Sequence, residues 1–408
     1  MSLGKTAGST ALAFWVLWLL ASCGDPPHEA PEPELDSASE ELQVELSKRA
    51  LAFPIATRKI LPAGIAGDHQ VLFVGVPLEG KVAVLSRFGN TQIGELPPPP
   101  AGFVLPFIMH RIGPRRLAVL DAGGLPSPAP FVPANPRIYE YSYGLEGGFH
   151  ARLERTISFE QELVGFAEDI VSLGEGRYVL SDAILGALWL VESDGSIVPG
   201  VMAQDPAPGT GIEQLRMCPD MPLIEVGGVP FLFSGSTLPG VSPLAVRHGQ
   251  LYFYSPCAEG LYALPVDTLF DDRTPEQRAE DIVLVSPKPA NVVVEQLLGL
   301  AFDPSRPGEC YVYAADSLQL RMIRIDVSTG ARQLLADDPE LFNFPSSTAF
   351  LPPILGHSQL VVVSNQQQLT PITNDASEGE MFDLPFLITE LSLRAKRNRS
   401  LLPVALAR

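Results

Sequence analysis

A short β-rich phrase returns six times along this sequence, starting at Leu72 (LFVGVP), Leu117 (LAVLDAG), Tyr178 (YVLSDA), Leu251 (LYFYSP), Tyr311 (YVYAAD) and Leu360 (LVVVSN). Each run follows a shorter apolar run and a turn through Gly, Asp, Pro or Arg. Most lead into a third strand: Val82–Leu85, Ile138–Tyr141, Leu188–Val191, Leu261–Leu264 and Met322–Ile325. The intervals of 45, 61, 73, 60 and 49 residues suit four-strand units, the period of propeller blades. One such unit cannot bury both of its faces, so it needs neighbours in a closed ring. A β-sandwich would also show many short strands, but not six copies of one phrase. The sequence therefore predicts an all-β chain, a six-bladed β-propeller of four-stranded antiparallel blades around a central channel. The blades are expected near 54–96, 102–160, 163–203, 241–287, 295–337 and 345–393.

Upstream of this pattern lies a different kind of segment. Lys5 precedes a mostly apolar run from Ala11 to Ala21, which closes on Leu20-Ala21-Ser22-Cys23. A positive start and an apolar stretch of this length describe a signal peptide, too short to span a bilayer. The small residues ahead of Cys23 match a bacterial lipobox, so residues 1–22 are expected to be removed and Cys23 to carry lipid. More than one acyl chain is needed for stable anchoring, and that modification supplies them. The expected location is the bacterial cell envelope, with the lipid bilayer as a partner through Cys23. Residues 23–50, rich in Pro and acidic groups, read as a tether with at most a helical turn near Glu40–Lys48. The propeller is then expected over 51–408, with a Pro- and Gly-rich insertion at 204–240 acting as a surface loop or lid.

The formal net charge of −19 becomes one unit more negative once Lys5 is lost. Such a surface repels nucleic acid and anionic lipid headgroups, so neither is an expected partner. A hydrophobic share of 46% suits a sizeable core, and the body is expected to be a monomer. With Cys23 lipidated, Cys218, Cys257 and Cys310 remain. In an oxidising compartment Cys218–Cys257 is the preferred pair, since both lie near the insertion, and buried free thiols are the alternative.

Several phrases resemble the Yellow/major royal jelly family of propellers. Arg116–Gly123 (RLAVLDAG), Phe166–Val171 leading to Tyr178–Asp182, Gly240–Val246 with Leu251–Pro256 and Leu261–Pro265, and Leu360–Gln366 follow that family's phrases in order. Together they span blades two to six, and the neighbouring gluconolactonase and strictosidine-synthase-like propellers share much of the phrasing. The resemblance implies the propeller fold. For activity it implies a range, from lactonase-like hydrolases or isomerases to binders of small molecules. Calcium-dependent lactonases of the neighbouring group place an Asn and an Asp where this chain has Ser242-Pro243 and Leu298-Gly299. A calcium cage needs converging oxygen ligands, so neither a metal nor another cofactor is expected.

No G-x-S-x-G, H-E-x-x-H, P-loop, EF-hand loop or G-x-G-x-x-G occurs. Candidate site residues are therefore polar groups where innermost strands begin. Glu168 and Asp169 open blade three, and Glu295 and Gln296 open blade five. Glu168 and Glu295 are expected on one channel mouth, where paired carboxylates would resist ionising together and could act as acid and base. They could equally bind a cation, or instead cap turns. His110 lies on the expected innermost strand of blade two. Asn365, with Asp121, Asp182 and Asp316, recurs just after second strands, where bonding local backbone is the ordinary role. Three readings stay open: a binding protein whose ligand is a small molecule at the channel mouth, a hydrolase or isomerase, and a cell-envelope interaction scaffold. An open pocket lined by aromatics favours the first, an oxygen-ligand cage the second and a plugged channel the third.

Overall fold

The computed structural model describes residues 42–50, 61–89, 91–124, 134–159, 164–201, 214–215, 223–231, 240–256, 258–369 and 386–395. Its six four-stranded sheets are antiparallel and form the blades of a propeller. Five blades take four consecutive strands each, with innermost strands at Ala63–Gly67, Pro106–Gly113, Ala167–Gly174, Leu244–Arg247 and Leu297–Phe302. Blade six combines Pro345–Ile354, His357–Ser364 and Leu387–Ala395 with an outer strand from far upstream, Leu42–Ala50. That outer strand pairs from Leu42 opposite Ala395 to Ala50 opposite Leu387.

This corrects the expected boundary, because a tether running to residue 50 would leave blade six one strand short. Its first half, Leu42-Gln-Val-Glu-Leu-Ser47, alternates apolar and polar residues, which is the strand period. The prolines and acidic residues just upstream mask the alternation. The signal segment, Cys23, the rest of the tether, Cys218 and Cys257 lie outside the described residues. Cys310, left over by the expected pairing, is disulfide-bonded.

The core is a series of wedges between blades rather than one central mass. Tyr178, Leu180 and Trp189 of blade three pack on Leu120 and Ile138 of blade two, and similar clusters fill the other gaps. Alternate residues of each strand thus face opposite neighbours, which explains why the strands read as continuous apolar runs. Polar side-chain contacts tie some wedges. Glu140 of blade two holds Arg155 at 3.2 Å and accepts from the Tyr178 hydroxyl of blade three at 3.0 Å.

Of the insertion, the short hairpin Ile224–Val226 and Val229–Phe231 is described. It buries Val226 and Phe231 against Val294, Leu298, Leu318, Leu320 and Phe344, with the Phe231 and Phe344 rings 5.5 Å apart. The hairpin thus reaches from between blades three and four to the loops of blades five and six, at the end where the innermost strands begin.

Candidate functional site

The innermost strands line a central cavity of about 540 Å³. Most of these strands carry a register shift near their start, between Ala63 and Ile65, Pro106 and Ile108, Ala167 and Asp169, Leu298 and Ala301, and Pro345 and Ser347. A bulge turns one residue out of the ladder and re-aims its side chain. The bulged positions are Gly64, Phe107, Glu168, Gly299 with Leu300, and Ser346. Gly64 and Gly299 have φ of +55° and +60°, and a Cβ there would press on the next blade's backbone at 2.4 and 2.5 Å. Phe107, Glu168 and Ser346 instead present side chains to the cavity. Among these bulged positions Glu168 is the acidic one, with Asp169 beside it also lining the cavity.

Loop anchoring fixes that ring. Asp182 accepts from the Gly165 and Phe166 amides at 2.8 and 3.1 Å, and Asp121 from those of Val104 and Leu105 at 2.8 and 2.7 Å. Both carboxylates hold the loop that leads into an innermost strand. Asn365 accepts from the Gln367 amide at 3.0 Å while lining the cavity. Asp316 pairs with Arg321 at 2.8 Å and lies off the cavity.

Glu168 is buried, and its Oε2 has no hydrogen-bond partner among the described residues. Burial above all pushes its carboxyl up to about 8; the Ser242 hydroxyl opposes the rise and the Asp169 charge adds to it. At neutral pH it is therefore largely a neutral acid, able to donate. Asp169, raised to about 7 mainly by burial, is committed to backbone instead. Its oxygens accept from the Leu244 amide of blade four and from the Ile170 amide, each at 2.8 Å. Ser347 has the same task one bulge along in blade six, accepting from the Ile65 amide of blade one at 3.2 Å. His110 lines the cavity, and burial lowers its pKa to about 4, so the ring is neutral. Gln296 is buried against the cavity with its Oε1 unpartnered among the described residues.

Glu295 does not join them, which corrects the expectation of two carboxylates on one mouth. It turns into the wedge between blades four and five, where Arg332 Nη1 lies 2.5 Å away and the Tyr254 hydroxyl donates at 2.8 Å. Arg332 opens the outermost strand of the same blade. The opening segment itself gives no sign of this partner, which stands 37 residues downstream.

Sequence reasoning missed the apolar share of the site. Phe107, Phe166, Phe302 and Phe350 line the cavity, and the first two meet edge to face at 5.5 Å. Phe107 could have been found from its place beside Pro106, at the start of an innermost strand. Among the described residues, no group of three or more His, Cys, Asp or Glu gathers as a metal site would require. With this apolar wall the lining has room for an organic molecule, with Glu168 placed to donate and the Gln296 carbonyl to accept.

No protein-family model matches the chain, and no curated protein matches it. Solved structures do. One is a calcium-binding protein, regucalcin, from Agrobacterium tumefaciens, at 14% identity over 86% of this chain and 96% of that one, with a TM-score of 0.51. A structural genomics protein from Bacteroides thetaiotaomicron matches at 11% identity over 87% and 77% of the two chains, with a TM-score of 0.50. Virginiamycin B lyase from Staphylococcus aureus matches at 11% identity over 86% and 100%, with a TM-score of 0.45. Likeness to the first two at these identities supports the propeller fold alone and leaves the chemistry to the residues themselves.

Proposed function

We propose that this chain is an exported, lipid-anchored propeller that binds a small, largely uncharged organic molecule in its channel mouth. The observation that carries the reading is the buried Oε2 of Glu168, without a hydrogen-bond partner among the described residues and facing a cavity of about 540 Å³. Ligand pockets commonly enclose about 300–1,000 Å³ of mostly apolar wall with a few converging polar groups. Glu168, Gln296 and Ser346 are among the polar groups, with Arg111 and Arg247 farther along the strands, and the four phenylalanines supply apolar wall. A buried polar atom left unmatched is costly, about 1–3 kcal/mol, and a ligand hydrogen bond would recover part of that. The ordered Yellow-type phrases support a kinship with that family. The lipobox at Cys23 supports the anchor.

A lactonase-like or isomerase reading rests on the raised pKa of Glu168, which suits a general acid. Among the described lining residues the other carboxylate, Asp169, has both oxygens accepting backbone amides. Binding is the better supported reading.

The test is a thermal-shift screen of the purified protein against uncharged lactones, sugars and phenols. A ligand at 100 times its Kd stabilises by about 2.7 kcal/mol, a readily measured rise in Tm. At least one class should stabilise the wild type and fail to stabilise Ser346→Trp, which fills the mouth from blade six. A stabilisation that survives in Ser346→Trp, or none across the panel, would remove the reading.

A further inference from the structure

The innermost and second strands of blades three, four and six are joined by two-residue turns of one kind. They are Glu175-Gly176, His248-Gly249 and Leu355-Gly356, with φ of 54° and 75°, 48° and 75°, and 50° and 79°. Positive φ at both positions defines the tight hairpin turn that Asn-Gly or Asp-Gly fills best. Two of the three carry a polar or charged residue at the first position, and blade six carries leucine. A bulky apolar residue in the left-handed region is a genuine outlier. Leu355 is also 92% exposed, so no packing compensates. A side chain that breaks local preference and solubility together points to a contact made outside the fold.

Phe88 supports the same reading. It follows the third strand of blade one, is 67% exposed, and lies at the same end of the ring. Its neighbour Arg87 donates from Nη1 to the Pro352 carbonyl at 3.2 Å, so the two loops adjoin. The strand registers fix which end this is. Leu42 pairs with Ala395, and Ser358 with Leu393, so the outer strand of blade six begins beside the Leu355 turn. The chain from Cys23 therefore reaches the propeller at the face that carries Phe88 and Leu355. Glu168 lies at the opposite face, where innermost strands begin.

We propose that Phe88 and Leu355 rest in the lipid interface of the membrane that carries the anchor, with Glu168 at the end of the cavity farther from it. This rests on the reading of Cys23 as lipidated. Because the chain is strongly acidic, the contact is apolar rather than electrostatic, and it suits zwitterionic lipid.

The sequence makes the test clean, since Trp15 and Trp18 fall in the signal segment and Trp189 is buried. The processed, full-length protein is reconstituted on phosphatidylcholine vesicles with brominated acyl chains, as Leu355→Trp and separately as Val293→Trp. Val293 is 73% exposed in the loop before blade five, on the face where innermost strands begin. Leu355→Trp should lose most of its added emission to the bromines, and Val293→Trp should keep it. The reverse pattern, or equal quenching of the two, overturns the proposal. Flotation of the wild type with the vesicles, beside Cys23→Ser, separates the two readings. If the wild type fails to float, the anchor reading falls and this one with it. If it floats and Leu355→Trp stays bright, only the contact falls, and the patch belongs to a protein partner.

Discussion

Glu168 and Glu295 stand at comparable places in the sequence, each within a few residues of the start of an innermost strand. The fold gives them opposite surroundings. Glu168 sits on a bulge, faces the cavity and keeps an oxygen unmatched among the described residues. Glu295 lies in an interblade wedge, gripped by Arg332 and Tyr254. One carboxyl remains available for a ligand, and the other is spent on holding blades four and five together. The contrast shows that a blade-opening acid has no fixed role. The bulge and the long-range partner decide it.

The largest effect should come from breaking the spent member. Glu295→Ala strips Arg332 of its carboxylate inside a wedge and leaves a buried charge uncompensated, a loss of about 3–5 kcal/mol. Glu168→Ala removes a carboxyl with an unmatched oxygen and should lose under about 1 kcal/mol. Urea unfolding of the two variants against the wild type measures the gap. Equal losses would erase the distinction between the residues.

A second test uses pH. The folded-state pKa of Glu168 is raised to about 8, well above the ordinary carboxylate value. Between those limits the folded state holds a proton that the unfolded state has lost. Stability from this group is therefore fully present at low pH and declines as pH rises through the window up to about 8. The slope is at most about 1.4 kcal/mol per pH unit. Asp169 and Asp316, both raised to about 7, add slopes of the same sign that end earlier. The diagnostic quantity is thus the difference between wild type and Glu168→Gln. The variant should lose less stability than the wild type between pH 5 and 8, and parallel curves would mean Glu168 is solvated.

The ring was legible because the phrase repeated, and each strand's two buried faces made it apolar throughout. The outer strand of blade six was hidden, since Leu42–Ala50 completes a sheet whose other strands begin at Pro345. The cavity residues were legible only as far as strand starts could be placed. Glu168, Asp169, His110, Gln296 and Asn365 do line one space. Which atoms stay free is set by pairings between blades. Asp169 is committed through Leu244, 75 residues on, and Glu295 through Arg332. Spacing alone carries no trace of either.

The smallest effect sharpens the comparison within one dipeptide. Glu295 and Gln296 are neighbours, yet one faces the wedge and the other the cavity. The Gln296 backbone carbonyl already accepts from the Ser317 amide at 2.9 Å, so its loop is held without the side chain. Its Oε1 is buried and unmatched among the described residues. Gln296→Leu replaces the amide with an apolar group of similar length, removing one desolvated oxygen and no described side-chain hydrogen bond. Stability should change by less than about 1 kcal/mol, with a gain as plausible physically as a loss, because an unmatched amide is replaced by hydrocarbon. Any ligand found by thermal shift should lose affinity in this variant, by roughly tenfold for about 1.4 kcal/mol of hydrogen bonding. If Gln296→Leu instead unfolds as readily as Glu295→Ala, both residues belong to the wedge. Glu168 would then face the ligand without its neighbour from blade five.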